Sequence, residues 1–201
     1  MSKTGHARLP GLVRRHGVVT TREAARAGIH TQQLTRLVKK GILERIARGQ
    51  YQLAERSVTE HHGLVVVARA VPRGVICLVS ALSIHGIGTQ LPAVVWVAIE
   101  GRARRPALAY PPLRVARFSG RSFTYGVETR RLEGESVRVY GVAKTLADLF
   151  KYRNKIGLDV ALEALREAWR KRRFTIEELD RAARVCRVER VMRPYVEAVV
   201  S

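Results

Sequence analysis

Six side chains in the second part of this 201-residue chain are the ones that proton-shuttling or metal chemistry would recruit: His61, His62, His85, Glu100, Asp148 and Asp159. Their spacing is poor for catalysis. A helical zinc site asks for histidines at i and i+4 with a glutamate between them to activate water. His61 and His62 are adjacent, which on a helix aims them about 100° apart, and the sequence has no such i, i+4 pair. Histidines so placed are expected to be satisfied inside the fold or solvated. A metal-dependent nuclease gathers acids, whereas the strand-like "VVWVAIEGRAR" supplies Glu100 alone. The glycines of "HGIG" have no lysine after them and no serine between them, so the sequence shows neither a phosphate-cradling loop nor a nucleophile elbow there. The expectation is a protein with no metal, no cofactor and no enzymatic activity; the alternative is a nucleic-acid-processing nuclease that relies on Glu100.

A different chemistry is written into "HTQQLTRLVKKGIL", which begins at His30. Plotted at about 100° per residue, Leu34, Leu37 and Val38 form one apolar stripe. Gln32, Arg36, Lys39 and Lys40 stand opposite, with Gln33 beside them, and no acid joins them. Solvated helix faces normally mix signs, so a face of amides and cations suits an anionic partner that also carries bases. In the major groove amides pair with adenine and guanidinium forks with guanine. Gln32, Gln33 and Arg36 are therefore assigned to base edges, Lys39 and Lys40 to phosphates, and Thr31 and Thr35 to the same DNA-binding face. "ILERIARGQYQL" follows, two short strand-like runs with Ile46, Tyr51 and Leu53 as core candidates around a turn at Arg48 and Gly49. It reads as a wing, which sets Arg45 and Arg48 beside the phosphate backbone or at a minor groove.

The stretch "GRARRPALAYPPLRVARFSGR", Gly101 to Arg121, holds six arginines and no acid: Arg102, Arg104, Arg105, Arg114, Arg117 and Arg121. Its prolines disfavour a helix, so it is expected to be a connector running into a strand. Two readings stay open, a second nucleic-acid contact and a solubility or ion-pairing role. An RNA-binding module built on this loop is a further alternative. "WRKRR" at Trp169 is read as cations complementing a helix C-terminus.

The elements that must carry these groups follow from punctuation and periodicity. "LPGLVRRHG" reads as a short first helix with Pro10 in its opening turn and Gly17 at its end. In "TTREAARAG", Thr20 and Glu23 have capping-box spacing, Ala24, Ala25 and Ala27 offer a small-residue face, and Gly28 ends the helix. Two short helices joined through a glycine turn, the second displaying donors, make a helix-turn-helix. With the hairpin it becomes a winged helix-turn-helix spanning 1–57. Ser57 and Glu60 repeat the capping spacing and open a helix running to Val71, where "PRG" breaks it. "VICLV", "AVVWVAI", "LRVARF", "FTYGVETRRL" and "SVRVYGV" then read as strands, with helix-like "SALSIHG" between the first two. Helices close the chain: "AKTLADLFKYRNK", "LDVALEALREAWRKR", "TIEELDRAARVC" and a last piece containing "RVMRPYVEAV". Strands first and helices last make 58–201 a mixed α+β domain ending in a helical bundle, and the fold class α+β.

The totals agree with this division. A hydrophobic fraction of 46% provides for real cores, and a net charge of +20, mostly arginine, points to a polyanionic partner. Residues 1–57 carry 12 Lys and Arg against 3 Asp and Glu, more than double the net charge per residue of the remainder. Cys77 and Cys186 sit in apolar or helical contexts and read as buried thiols, which fits a reducing cytoplasm. No leader-like or membrane-spanning run stands out, so the expected location is cytoplasmic and away from membranes.

With these residues laid out, the sequence resembles the AbiEi family of bacterial abortive-infection antitoxins. The stretches that carry the resemblance are "TREAARAGIHTQQLTRLVKKGILERIARGQYQL", "SALSIHGIG" with "LPAVVWVAI", and "VAKTLADLFKYRNKIGLDVALEALREA". The resemblance implies an N-terminal winged helix-turn-helix and a C-terminal antitoxin domain. It also implies a repressor that binds inverted repeats in its own promoter as double-stranded DNA. Such sites would require two copies, a solution homodimer or cooperatively bound monomers. It implies, last, an antitoxin opposing an adjacent nucleotidyltransferase toxin without forming a stable complex with it.

Overall fold

A computed structural model describes residues 18–53, 61–89, 94–108 and 110–200. They divide into two compact units. The first takes the described residues within Met1–Pro72, Pro106–Pro112 and Arg131–Ser136, the second those within Arg73–Arg105, Leu113–Arg130 and Val137–Ser201. The class is α+β, a winged helix-turn-helix followed by a mixed sheet and a helical C-terminus. The helix expected over "LPGLVRRHG" and the Ser57–Glu60 cap lie outside the described residues.

In the first unit, β1 (Val19–Thr20) leads directly into α1 (Thr21–Arg26), followed by α2 (Thr31–Lys39), β2 (Leu43–Ala47), β3 (Gln50–Leu53) and α3 (His62–Ala70). The capping box read from the sequence is present: Glu23 N–H donates to Thr20 Oγ1 at 3.2 Å and Thr20 N–H donates to Glu23 Oε2 at 2.8 Å. That pairing satisfies donors which a helix start otherwise leaves orphaned. The three strands run antiparallel in the order β1-β3-β2, with Val19 opposite Tyr51 and Leu43 opposite Leu53. β1 had no periodic signal because two residues are too short to show one. The core joins Val19, Ala24, Ile29, Leu34, Leu37, Leu43 and Tyr51, with Ala27 and Val38 half-buried at its margin. Ala25, expected on the packing face, is exposed: on a helix of six residues only Ala24 and Ala27, three apart, reach the core. A smaller cluster of Val18, Ile46 and Val66, with Leu108 against it, completes the unit.

The second unit is built on a five-stranded sheet in the order β6-β5-β4-β8-β7, from β4 (Val75–Ile76), β5 (Val95–Glu100), β6 (Leu113–Phe118), β7 (Val127–Leu132) and β8 (Glu135–Tyr140), of which the β7–β8 hairpin end, Arg131–Ser136, is counted with the first unit. Between β4 and β5 lies α4 (Leu78–His85), and α5 (Arg121–Thr124) precedes β7. Two expected strands are shorter than read. "VICLV" yields only Val75–Ile76, because Leu78 turns the chain at φ +54° and Val79 is already helical. "FTYGVETRRL" begins at Val127, its first two residues ending α5. β5 pairs parallel with β6 and antiparallel with β4, which occupies both its edges, and the burial of every residue from Val95 to Ile99 shows both faces covered, as its unbroken apolar run demands. β7 closes one edge with Glu128, Thr129, Arg130 and Arg131 exposed, a charged border that discourages pairing with another chain.

The helices α6 (Val142–Lys151), α7 (Arg153–Ile156), α8 (Leu158–Arg170), α9 (Ile176–Cys186) and α10 (Glu189–Val200) follow. α6 is the centre, packed by α4, α8 and α9, and Leu146, Leu149 and Phe150 are fully buried. α10 continues through Pro194, where one backbone donor is missing. Among the described residues, no helix is long and apolar enough to cross a membrane.

Candidate nucleic-acid interface

α2 presents the two faces expected of it. Leu34 and Leu37 are buried, Val38 is half-buried, and Thr31, Gln32, Thr35, Arg36, Lys39 and Lys40 are exposed. Its start is fixed by His30, which has extended backbone, and by Gln33, whose Oε1 accepts the His30 N–H at 3.0 Å. Gln33 is therefore half-committed to the cap and keeps its amide N–H donors for a partner. The Thr35 hydroxyl donates back to the Thr31 carbonyl at 3.1 Å, which leaves it as an acceptor. Gln32 and Arg36, one helical turn apart, are the unencumbered amide and guanidinium of this face.

Upstream, α1 enters α2 through Gly28, whose φ of +77° other residues adopt at a cost, and Ile29 is inserted into the core behind the turn. α1 also exposes Arg22 and Arg26. Neither was picked out from the sequence; the available signal was position, since in a helix-turn-helix the first helix crosses the backbone while the second enters the groove.

The wing is β2 and β3 with a register shift between Arg45 and Ala47, and Arg45 Nε donates to the Ala47 carbonyl at 3.4 Å. Ile46 and Tyr51 are buried as expected; Arg45 and Arg48 are exposed. The turn is held by Gly49, whose carbonyl accepts from Thr21 N–H at 2.8 Å and Thr21 Oγ1 at 3.2 Å. Residues 18–53 contain seven Lys and Arg and two acids, and both acids are engaged: Glu23 in the cap and with Arg69, Glu44 as acceptor from Gln52 Nε2 at 2.9 Å.

The six arginines of 101–121 are all exposed but are not all brought together, and only Arg102, Arg104 and Arg105 stand on the connector, Arg114 and Arg117 lying on β6. Arg105, Arg114 and Arg117 line one cavity of about 680 Å³ in the second unit, with Lys155, Trp96 and Tyr152. Arg102 and Arg104 lie outside that lining, and Arg121 opens α5. Sequence reading did not find Trp96, Tyr152 and Lys155 as companions, because strand pairing and the end of α6 place them there.

The histidines and acids considered for catalysis occupy separate settings. His62 is buried, its Nε2 against Gln52 Oε1 and its Nδ1 3.3 Å from Glu133 Oε2. His85 Nε2 donates to the Tyr140 carbonyl at 2.7 Å, and burial holds its pKa below the usual histidine range. Both are satisfied within the fold, as their spacing implied. Glu100 is exposed at the end of β5 and Asp159 is exposed in the first turn of α8. Asp148 is buried, with Lys144 Nζ 2.6 Å from each of its oxygens; burial pushes its carboxyl up and Lys144 opposes the shift. Among the described residues no three His, Cys, Asp or Glu are grouped to hold a metal ion.

The chain superposes on the crystal structure of the RV2827C protein from Mycobacterium tuberculosis with a TM-score of 0.66, over 98% of this chain and 82% of that one, at 12% sequence identity. That likeness is one of fold. Comparison with curated protein sequences gives no match. Residues 8–54, which end with the wing, match the family described as "Transcriptional regulator, AbiEi antitoxin", so the N-terminal part of this chain is similar to that family.

Proposed function

We propose that this protein is a sequence-specific DNA-binding repressor of its own promoter and the antitoxin of a neighbouring nucleotidyltransferase toxin. The observation that supports it best is the outer face of α2: Gln32 and Arg36 exposed on the same side, Lys39 and Lys40 beyond them, and Leu34 and Leu37 anchored beneath. A rigid helix with donors outward reads base edges in a major groove, and the wing's Arg45 and Arg48 take flanking phosphates. The match over 8–54 to a regulator and antitoxin family points the same way. Inverted repeats in the promoter would engage two copies, with half-sites about 34–36 Å apart or a multiple of that spacing.

Binding to the protein's own promoter fragment tests the DNA reading. Arg36→Ala is expected to cost about 1–3 kcal/mol and to relax sequence preference, whereas Lys40→Ala weakens all DNA alike and lowers the salt slope by about one. Unchanged promoter binding in both variants overturns the assignment of α2. The antitoxin reading is tested by co-expression with the adjacent open reading frame; failure to relieve its toxicity overturns that part.

A further inference from the structure

We propose that the cavity between the β5–β6 edge and the α6–α7 junction binds one unpaired nucleoside phosphate, either a free nucleotide or the phosphorylated nucleotide of a single strand. The site belongs wholly to the second unit and does not involve α2 or the wing, so it stands apart from the promoter-binding reading.

Four cations converge on it: Arg105, Arg114, Arg117 and Lys155. Arg117 donates to the carbonyls of Gly101 and Ala103 at 2.7 and 2.8 Å, which fixes the start of the loop that delivers Arg105. Among the described residues none of the four has a carboxylate within ion-pair distance. Four neighbouring cations raise one another's energy until an anion enters, and guanidinium forks match phosphate oxygens two at a time. The floor of the cavity is aromatic. Trp96 and Tyr152 meet edge to face at 6.4 Å, and Phe118 buttresses Tyr152 at 5.7 Å. Arg114 faces Trp96 across the parallel register of β5 and β6, with its guanidinium 5.4 Å from the indole centroid. A planar guanidinium backed by a ring is a stacking surface for a base. Lys155 Nζ lies 5.6 Å from the Tyr152 ring, and burial raises the Tyr152 phenol above its usual range, so its hydroxyl stays protonated. A cavity of about 680 Å³ is of the size that encloses one small ligand. A base pair offers such a cavity only its edge, whereas an unpaired base offers a stacking face.

The full chain is titrated, with Trp96 fluorescence in a Trp169→Phe background and with calorimetry, against the four ribonucleoside triphosphates and inorganic triphosphate. Further arms are a 5′-phosphorylated single strand, its duplex and an acidic peptide. A nucleotide or the single strand is expected to bind at least tenfold more tightly than triphosphate or peptide and to change Trp96 fluorescence, whereas the duplex, held by α2 and the wing, is expected to leave Trp96 fluorescence unchanged. Arg114→Gln is expected to weaken it at least tenfold and Arg105→Gln several-fold. Arg105 is an exposed loop residue, so that variant separates loss of binding from loss of fold. Arg36→Ala is expected to leave this binding unchanged, so the cavity and the promoter reading succeed or fail separately. Whichever of free nucleotide and single strand binds more tightly identifies the source. The proposal is overturned if no nucleotide or single strand binds below millimolar concentration, if triphosphate or peptide binds as well as the nucleotide, or if both cavity variants bind like wild type.

Discussion

Arg69 of α3 grips Glu23 of α1: its guanidinium donates to the Glu23 carboxylate and to the carbonyl of Val18, with Glu135 Oε1 at 3.6 Å on the same group. One side chain thus ties the entry of the helix-turn-helix to a helix nearly fifty residues on. Arg69→Ala removes the guanidinium donor from the Val18 carbonyl and one partner from the capping carboxylate. The expected loss is about 2 kcal/mol. It should appear as amide hydrogen exchange about thirtyfold faster in β1 and α1, with Arg69→Lys recovering part of it because an ammonium cannot fork.

The wing turn has no room for a side chain. A Cβ on Gly49 would lie 2.6 Å from Thr21 Oγ1, and the residue already sits at φ +73°. Gly49→Ala is expected to cost about 1–2 kcal/mol in stability, and to weaken promoter binding by displacing Arg48. At Gly28 a Cβ meets nothing within 4 Å, so Gly28→Ala carries only the backbone penalty and should be the milder of the two. Urea midpoints of the two variants check the ranking.

Arg22 and Arg26, exposed on α1, are predicted to contact phosphates rather than bases. Each alanine variant should lower the slope of log affinity against log salt by about one and leave sequence preference intact. A changed preference in a selection from random duplexes would move these residues to the groove.

The Lys144–Asp148 pair, 1% and 0% exposed, is held apart from water on α6. Lys144→Met leaves a carboxylate buried without its partner and is expected to cost about 3–5 kcal/mol, while Lys144→Met with Asp148→Leu should recover most of that. The pH dependence has a definite sign. Burial raises the Asp148 carboxyl above its unfolded value, and loss of Lys144 raises it further. A carboxyl raised on folding contributes stability at low pH that is lost as pH climbs through its folded value. The deficit of Lys144→Met should therefore shrink as pH falls toward the ordinary carboxyl range in denaturant melts.

What the sequence revealed was local. The α2 face was legible because a 3.6-residue period sorts Leu34 and Leu37 from Arg36 and Lys40 with no knowledge of the rest of the chain. The Thr20–Glu23 cap and the wing's buried Ile46 and Tyr51 were legible for the same reason. The Arg69–Glu23 grip was not, since nothing in either segment's pattern points to the other. Asp148 was considered only as a catalytic acid, and its pairing with Lys144 at i, i+4 in a buried setting is set by the helices that cover α6. The arginine run from Arg102 to Arg121 was visible as composition, but which three of its members share a cavity depends on the β5–β6 register and on where α6 ends.

Both cysteines lie wholly inside the second unit, Cys186 giving its thiol hydrogen to Asp148 at 3.3 Å. Burial lifts Cys186 to about 12 and Cys77 well above the usual thiol range. The native protein consequently offers maleimide and other electrophiles no thiolate at neutral pH. A cysteine introduced on the outer face of α2 would be the one position that takes a fluorophore or spin label, which makes the wild-type background ready for distance measurements on DNA without first deleting either native sulfur.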